Sequence, residues 1–408
     1  MSGCQSLICS SRLLLSNSRL VMCGWQRHQS STQQAEEATT KPPQKKNQMM
    51  AWQVHSFGGI DQLGLTDSER IPKLLQPNDI LVRVNCTSVN PIDLAMISGY
   101  GSSLLNLAKQ AEDRVCRNAA AELSSLEFPV TPGRDFVGEV VECGAQVRHL
   151  RIGDVVWGVI PPYRRGAHAQ FVQASADHVL RKPENVDDVS AACVPYAGLT
   201  AWSALWAPFS EYVWPRTKVL VLGGSGGVGS LAVQMLKAFG SRVVTTCKTD
   251  AVPTLESFGL EAVIDYTSPD YSRDIKMCGP YDLILNAAGL SGTPHIDNIK
   301  EWRLARYVTL SPPLLRNSDE FGVPVGTVKS VLDASMQNLQ SLRSKGALVQ
   351  WGFFAPSQKG LQQLGKLVAD GKVKPVVHKK FKFSELPEAF KCQQEGHLRG
   401  KIVVVMDV

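Results

Sequence analysis

From residue 218 to 353 short apolar runs recur, each followed by a stretch of helical period. The runs predict strands at 218–223, 242–247, 262–265, 281–286, 304–310 and 347–353. Helices are expected in the gaps, including 228–239, 251–258 and 327–343, which makes this half an α/β, doubly wound parallel sheet. The half before it, from Met50 to about Tyr196, reads differently. Ile80–Val84 alternates in part, Gly138 and Gly144 bracket a strand, and Asp154–Val159 and Ala169–Val172 add short runs broken by Pro161-Pro162. Many short strands with turn signals predict a distorted barrel or sandwich. After Phe354 come a helix near 358–369, a basic strand Lys374–Phe381, a helix Ser384–Gln394 and a last strand Lys401–Met406, a tail expected to return to the first domain. The organisation is therefore a leader at 1–48, a first domain at 49–197, a nucleotide-binding domain at 198–354 and a return segment at 355–408.

The leader changes the reading of charge. The chain has 408 residues and a formal charge of +6, but residues 1–48 carry six Lys/Arg against two Asp/Glu. The remaining 37 basic and 35 acidic residues nearly cancel, which argues against broad nucleic-acid binding. The first 35 residues hold no acid, and Arg12, Ser16 and Arg19 share a helical face opposite Leu13, Leu20 and Val21. That pattern reads as a mitochondrial presequence, with Lys41-Pro42-Pro43 in a linker; a disordered tail is the alternative. No run of eighteen apolar residues predicts a membrane span. The ten cysteines form no C-x-x-C pair, which suits free thiols in a reducing compartment.

The chemistry starts where the first parallel strand ends. Val219–Phe239 reads VLVLGGSGGVGSLAVQMLKAF: an apolar run, a glycine cluster, then a helical period through Val228, Leu231, Ala232, Met235, Leu236 and Phe239. In a strand–turn–helix context this spacing marks a dinucleotide site. Gly224 is expected to permit the turn, Gly226 to let backbone approach a pyrophosphate, and Gly229 to bring helix close to strand. The free N–H groups and dipole of the helix start favour the anion.

The end of the second strand chooses the nucleotide. An acid there would hold a ribose hydroxyl, whereas a cation or hydroxyl accepts a 2′-phosphate. Here Lys248-Thr249 follows Cys247, with Asp250 expected to cap the next helix, so NADPH is favoured; a merely solvated Lys248 is the alternative. Tyr266, after the third strand, either reaches the adenosine end or stands as a rim aromatic.

Several segments in order complete the pattern. They are Ser88-Val89-Asn90-Pro91-Ile92-Asp93, Pro132-Gly133-Arg134-Asp135 with Gly138, Pro195-Tyr196 through Trp202, Gly224–Gly229, Val263–Tyr266 and Gly396–Lys401. Together they resemble the quinone-oxidoreductase branch of the medium-chain dehydrogenase/reductase superfamily, over about residues 50–408. Ser98–Gly101, Trp351–Phe354 and the leader narrow the likeness to mitochondrial members. The resemblance implies a GroES-like β-rich catalytic domain, discontinuous in sequence, beside a Rossmann nucleotide-binding domain with the cofactor in the cleft. It implies that Ser225, Gly227 and Val228 hold the pyrophosphate and Lys248 and Tyr266 the adenosine phosphate end. Asn286 and Leu310 would line ribose and nicotinamide, and Gly352, Phe354, His397, Leu398 and Arg399 would close over the cofactor. For His397 a helix-end histidine is the alternative. Residence in the mitochondrial matrix or peripheral to a mitochondrial membrane, service to ubiquinone biosynthesis, reticulon or ubiquinone-biosynthesis protein partners, and a homodimer through the nucleotide-domain sheet edge are further implications of kinship. Residues 311–325 match the family poorly.

Zinc members of the superfamily place a Cys and a Gly-His-Glu segment where this chain has Asn90–Asp93 and Gly133-Arg134-Asp135, so no metal is expected. Reduction would then be hydride transfer from NADPH to a quinone or related conjugated carbonyl, with Asn90 and Tyr100 as candidates to stabilise the oxyanion. The same two residues read equally as a turn and a packed loop aromatic, and Arg134 with Asp135 as a structural ion pair. Two other functions remain open. A mitochondrial enoyl-thioester reductase would need a cationic track, for which Arg164-Arg165 and Lys379-Lys380 are the candidates. A non-catalytic NADPH-bound interaction partner would leave the site idle.

Overall fold

The computed structural model describes residues 47–116, 128–206 and 215–407. The presequence expected at the N-terminus lies outside them. Seven strands come first: β1 (Gln48–Gln53), β2 (Gly64–Arg70), β3 (Asp79–Val89), β4 (Asp135–Cys143), β5 (Val155–Val159), β6 (Phe171–Ser175) and β7 (Val179–Arg181). A parallel set follows: β8 (Lys218–Leu222), β9 (Arg242–Cys247), β10 (Ala262–Asp265), β11 (Leu283–Asn286), β12 (Arg306–Thr309) and β13 (Leu348–Trp351). The tail adds β14 (Val377–Lys382) and β15 (Lys401–Val405).

The parallel set lies in the order β10-β9-β8-β11-β12-β13, the doubly wound arrangement expected. Its topological switch falls between β8 and β11, where Leu222 stands beside Asn286. Val219 to Leu222 and Leu283 to Asn286 are all buried, as continuous apolar strands covered on both faces should be. The other large sheet runs β14-β15-β3-β4-β5-β7, with β6 also on β3. β15 pairs antiparallel with β3, Val403 opposite Ser88, so the tail does return to the first half of the chain.

Two features of the first half differ from a purely β reading. Helices Pro91–Ile97 and Ser102–Cys116 interrupt it. The first begins at Pro91, whose missing N–H costs nothing at a helix start, and Asp93 accepts from the Asn90 N–H at 2.8 Å. A helix at Pro195–Trp206 crosses position 197 and joins the halves. One apolar cluster runs from Val137, Trp157 and Val159 through Leu199 and Leu205 to Val219, Leu231 and Leu285.

Candidate functional site

The glycine turn is shaped differently from the expectation. The left-handed residue is Gly223 (φ 83°), not Gly224. Gly224 is required by packing, since a Cβ there would lie 2.0 Å from Thr245 Oγ1 on β9. A Cβ at Gly229 would meet the Gly223 carbonyl at 2.1 Å, the close helix–turn approach anticipated. At Gly226 the nearest atom would be 3.7 Å away, so this position is open. Helix Gly227–Ala238 starts next, and its first-turn amides, including those of Gly227 and Val228, have no intrahelical acceptor. An open backbone beside such amides fits a phosphorylated nucleotide.

Because β8 to β13 are parallel, their carboxyl ends leave one edge of the sheet. That edge gathers the glycine turn after β8, Lys248 after β9, Tyr266 after β10, Asn286 ending β11, Leu310 after β12, and Gly352 and Phe354 after β13. Lys248 and Tyr266 are exposed. Asn286 is buried and fixes its own loop, with Nδ2 donating to the Leu290 carbonyl at 2.7 Å. A Cβ on Gly352 would meet Leu310 Cδ2 at 2.7 Å, and Phe354 stacks on Tyr196 with centroids 4.0 Å apart.

The returning tail closes on the same turn. The Gly400 N–H donates to the Ser225 carbonyl at 2.8 Å. Just before it, Arg399 forms a two-point pair with Asp250, Nη2 to Oδ1 at 2.6 Å and Nε to Oδ2 at 3.1 Å. Asp250 therefore does not cap the helix Val252–Glu256, whose N-cap is Ala251. Its carboxyl is held below the usual range, chiefly by the Arg399 hydrogen bond. His397 is exposed with φ 53°, just beyond Gly396 at the end of helix Leu386–Glu395, and its carbonyl accepts from Arg399 Nη1; Leu398 is half-buried.

Asn90 sits in a buried charge network. Its Nδ2 donates to Asp135 Oδ2 at 2.8 Å, and its Oδ1 accepts from Lys401 Nζ. Lys401 also donates to the Val89 carbonyl at 2.9 Å and lies 3.6 Å from Asp135. On the way its stem passes Gly227, where a Cβ would meet Lys401 Cδ at 2.7 Å. The expected Arg134–Asp135 pair is not the one that forms. Arg134 faces Asp93 at 3.5 Å, and Asp135 faces Lys401. The two positive and two negative side chains balance with almost no water contact, the condition under which buried charge is tolerable.

Tyr100 stands apart from this network. It lines a pocket with Phe57, Met96, Leu105, Val130 and Arg164. Burial, then Asp319, pushes its hydroxyl up, so it keeps its proton and can donate a hydrogen bond. Asp319 belongs to helix Leu314–Phe321, and its carboxylate accepts from the Gly101 and Ser103 N–H groups at 2.6 and 3.1 Å. The poorly matching stretch 311–325 thus holds the Tyr100 loop.

A metal does not fit these residues. Where zinc ligands would be needed stand an asparagine, a guanidinium and two carboxylates already filled by protein donors. Among the described residues no group of three or more His, Cys, Asp or Glu is disposed to hold an ion. Cys86, Cys143, Cys193, Cys247, Cys278 and Cys392 are free; burial pushes the Cys193 thiol up to about 12. The candidate cationic track is also neutralised in part, with Arg164 bonded to Glu112 and Arg165 to Glu69.

A sheet of this order, a glycine turn at its switch and a second β-rich lobe threaded by the chain's own tail define a medium-chain dehydrogenase/reductase. Family models agree: an alcohol dehydrogenase GroES-like domain matches residues 76–184 and a zinc-binding dehydrogenase matches 258–404. A quinone oxidoreductase from Coxiella burnetii is similar in structure, with TM-score 0.67 and 29% identity over 88% of this chain and 99% of that one. The mitochondrial NAD(P)H oxidoreductase RTN4IP1 of Drosophila melanogaster is 39% identical over 99% of this chain and 97% of its own length. The human protein of that name is 35% identical over 96% and 98%. The chain belongs to this RTN4IP1 family of mitochondrial NAD(P)H oxidoreductases.

Sequence reasoning passed over Lys401 as the first residue of a strand. The available signal was a lysine directly before an apolar run, in a segment predicted to re-enter the first domain. Asp319 and buried His168 carried no comparable signal.

Proposed function

We propose that the chain is an NADPH-dependent oxidoreductase of the mitochondrial matrix that reduces a quinone or related conjugated carbonyl, serving ubiquinone biosynthesis, with residues 1–48 as its transit segment. The observation that carries the reading is the convergence of Gly226, Lys248, Asn286, Leu310 and Gly352 on one sheet edge, closed by a tail that reaches Asn90. Ser225, Gly227 and Val228 would receive the pyrophosphate, and Lys248, Tyr266 and Arg399 the adenosine end. Leu310, Gly352 and Phe354 would flank the nicotinamide, and His397 and Leu398, beside Arg399, would close over the cofactor. When bound, NADPH supplies the hydride.

The chain's residues provide orientation and charge. The Asn90 amide has one Nδ2 hydrogen left after Asp135, and Lys401 fixes which way that amide faces. Tyr100 offers a hydroxyl that stays protonated at neutral pH. Both are donors of the kind a developing oxyanion needs. The names of the relatives support the nicotinamide cofactor and the compartment, and the Coxiella neighbour supports the quinone class. Of the two candidate tracks for the thioester reading, Arg164 and Arg165 are already paired, whereas Lys379-Lys380 stays exposed.

The deciding assay is NADPH oxidation by the purified chain against short-chain quinones and crotonyl-CoA. Quinone turnover lowered at least tenfold by Tyr100→Phe supports the reading. Preference for crotonyl-CoA moves the chain to the thioester reductases, and tight NADPH binding without turnover makes it a nucleotide-bound interaction partner, of reticulons or of ubiquinone-biosynthesis proteins.

A further inference from the structure

Helix Ser102–Cys116 is capped from far away in the sequence. The residue before it is Gly101, which has no side chain to satisfy the free N–H groups of the first turn. Asp319 does so instead. Its Oδ2 accepts from the Gly101 N–H at 2.6 Å and its Oδ1 from the Ser103 N–H at 3.1 Å, across 218 and 216 positions. A carboxylate suits this place because it takes both N–H groups and also meets the positive end of the helix dipole.

Asp319 is fixed to the parallel sheet. Its helix, Leu314–Phe321, follows β12 and Leu310 closely in the chain. Behind it, Asn317 Nδ2 donates to Ser330 Oγ at 2.9 Å on helix Val323–Lys345, and a Cβ at Gly326 of that helix would meet the Asn317 carbonyl at 2.3 Å. Helix Val323–Lys345 is tied in turn to β13, where Asn338 exchanges hydrogen bonds of 2.8 and 2.9 Å with the Val349 backbone. The carboxylate therefore travels with the sheet, while the N–H groups it holds belong to the first half of the chain.

Between those N–H groups and the helix before them lies Tyr100. It stands between Gly99 (φ 90°) and Gly101 (φ 78°), two left-handed glycines whose backbone has wide conformational freedom. The Tyr100 N–H donates to the Ala95 carbonyl at 3.0 Å, which holds one side of the loop. The other side is held by helix Leu314–Phe321: a Cβ at Gly101 would meet Leu315 Cδ1 at 3.3 Å, and Asp319 lies one turn further along. Asp319 and Arg316 of this helix also act on the tyrosine hydroxyl, the carboxylate keeping its proton on and the guanidinium opposing that.

We propose that Asp319 is a positioning residue: it carries the position of the sheet to the Tyr100 loop, so that closure of the two halves on NADPH also sets the Tyr100 hydroxyl for the acceptor. This rests on the proposed reaction, in which Tyr100 is a donor. The test combines quinone turnover with hydrogen exchange of the amides in residues 98–106, and melting temperature verifies folding. Asp319→Ala should lower kcat about fivefold or more while the NADPH Kd stays within about twofold. Asp319→Asn, whose amide oxygen still accepts one N–H, should recover part of the loss and carries the comparison if the alanine variant does not fold. In a Tyr100→Phe background, removing Asp319 should cost less than about twofold further, because the hydroxyl it places is already gone. Equal losses in the two backgrounds, the behaviour of a purely structural cap, or full turnover in Asp319→Ala would overturn the proposal. NADPH should slow exchange at 98–106 in the unaltered chain but not in Asp319→Ala. If it does so and the unaltered chain turns over no quinone, the coupling stands and the quinone reaction falls. Exchange that ignores Asp319 overturns the coupling whatever the turnover.

Discussion

Lys401 donates to the side-chain carbonyl of Asn90 across 311 residues of sequence, tying the returning strand to the first candidate donor of the site. The lysine stem crosses Gly227 of the glycine turn on its way, so one side chain touches both the proposed cofactor cradle and the proposed oxyanion donor.

Removing that ammonium leaves Asp135 without its charge partner. Lys401→Met should destabilise the fold by about 3–5 kcal/mol, the cost of breaking a buried pair from one side. Urea unfolding measures it. Combined with Asn90→Ala, the loss should fall short of additive by about 0.5–3 kcal/mol, since the two residues share one network. Strict additivity would mean that they do not act together.

The glycine turn separates folding from binding. Gly224→Ala drives a methyl into Thr245 and should lower the melting temperature. Gly226→Ala has room and an ordinary φ of −75°, so it should melt like the unaltered chain. Its NADPH affinity, followed by nicotinamide fluorescence, should nonetheless drop by tenfold or more. Unchanged binding in Gly226→Ala would remove the cradle from the account.

At the proposed adenosine end Arg399 is held by Asp250. A 2′-phosphate competes with that carboxylate for the guanidinium and is repelled by it. Asp250→Asn should therefore tighten NADPH several-fold and leave NADH little changed. Lys248→Glu should do the reverse, weakening NADPH more than NADH. Parallel titrations with both nucleotides check the pair, and equal effects on the two would contradict NADPH preference.

His168 is buried, stacks edgewise on Phe390, and burial, then Arg134, lowers its pKa from 6.5 to about 3. Between those values the unfolded chain binds a proton that the folded chain refuses. Its contribution is therefore full above about pH 6.5 and is lost as pH falls, by up to about 1.4 kcal/mol per unit. Unfolding measured at pH 7 and pH 5 should show the unaltered chain losing about 2 kcal/mol more than His168→Leu.

Sequence alone determined the local choices. Short apolar runs alternating with period-3.6 stretches set the parallel strands within a residue or two, because strands buried on both faces, such as β8 and β11, are built of near-continuous apolar residues. The glycine spacing located the turn because two of its positions tolerate no side chain: a Cβ at Gly229 would strike the Gly223 carbonyl and one at Gly224 the Thr245 side chain. Tertiary structure decided what depends on chain ends meeting. Which carboxylate Arg134, Lys401 and Arg399 would choose, and that Asp319 would hold the Tyr100 loop, could not be read from spacing. Partners 41, 266, 149 and 218 positions apart carry no sequence signal of one another, and only packing in three dimensions sets which charges meet.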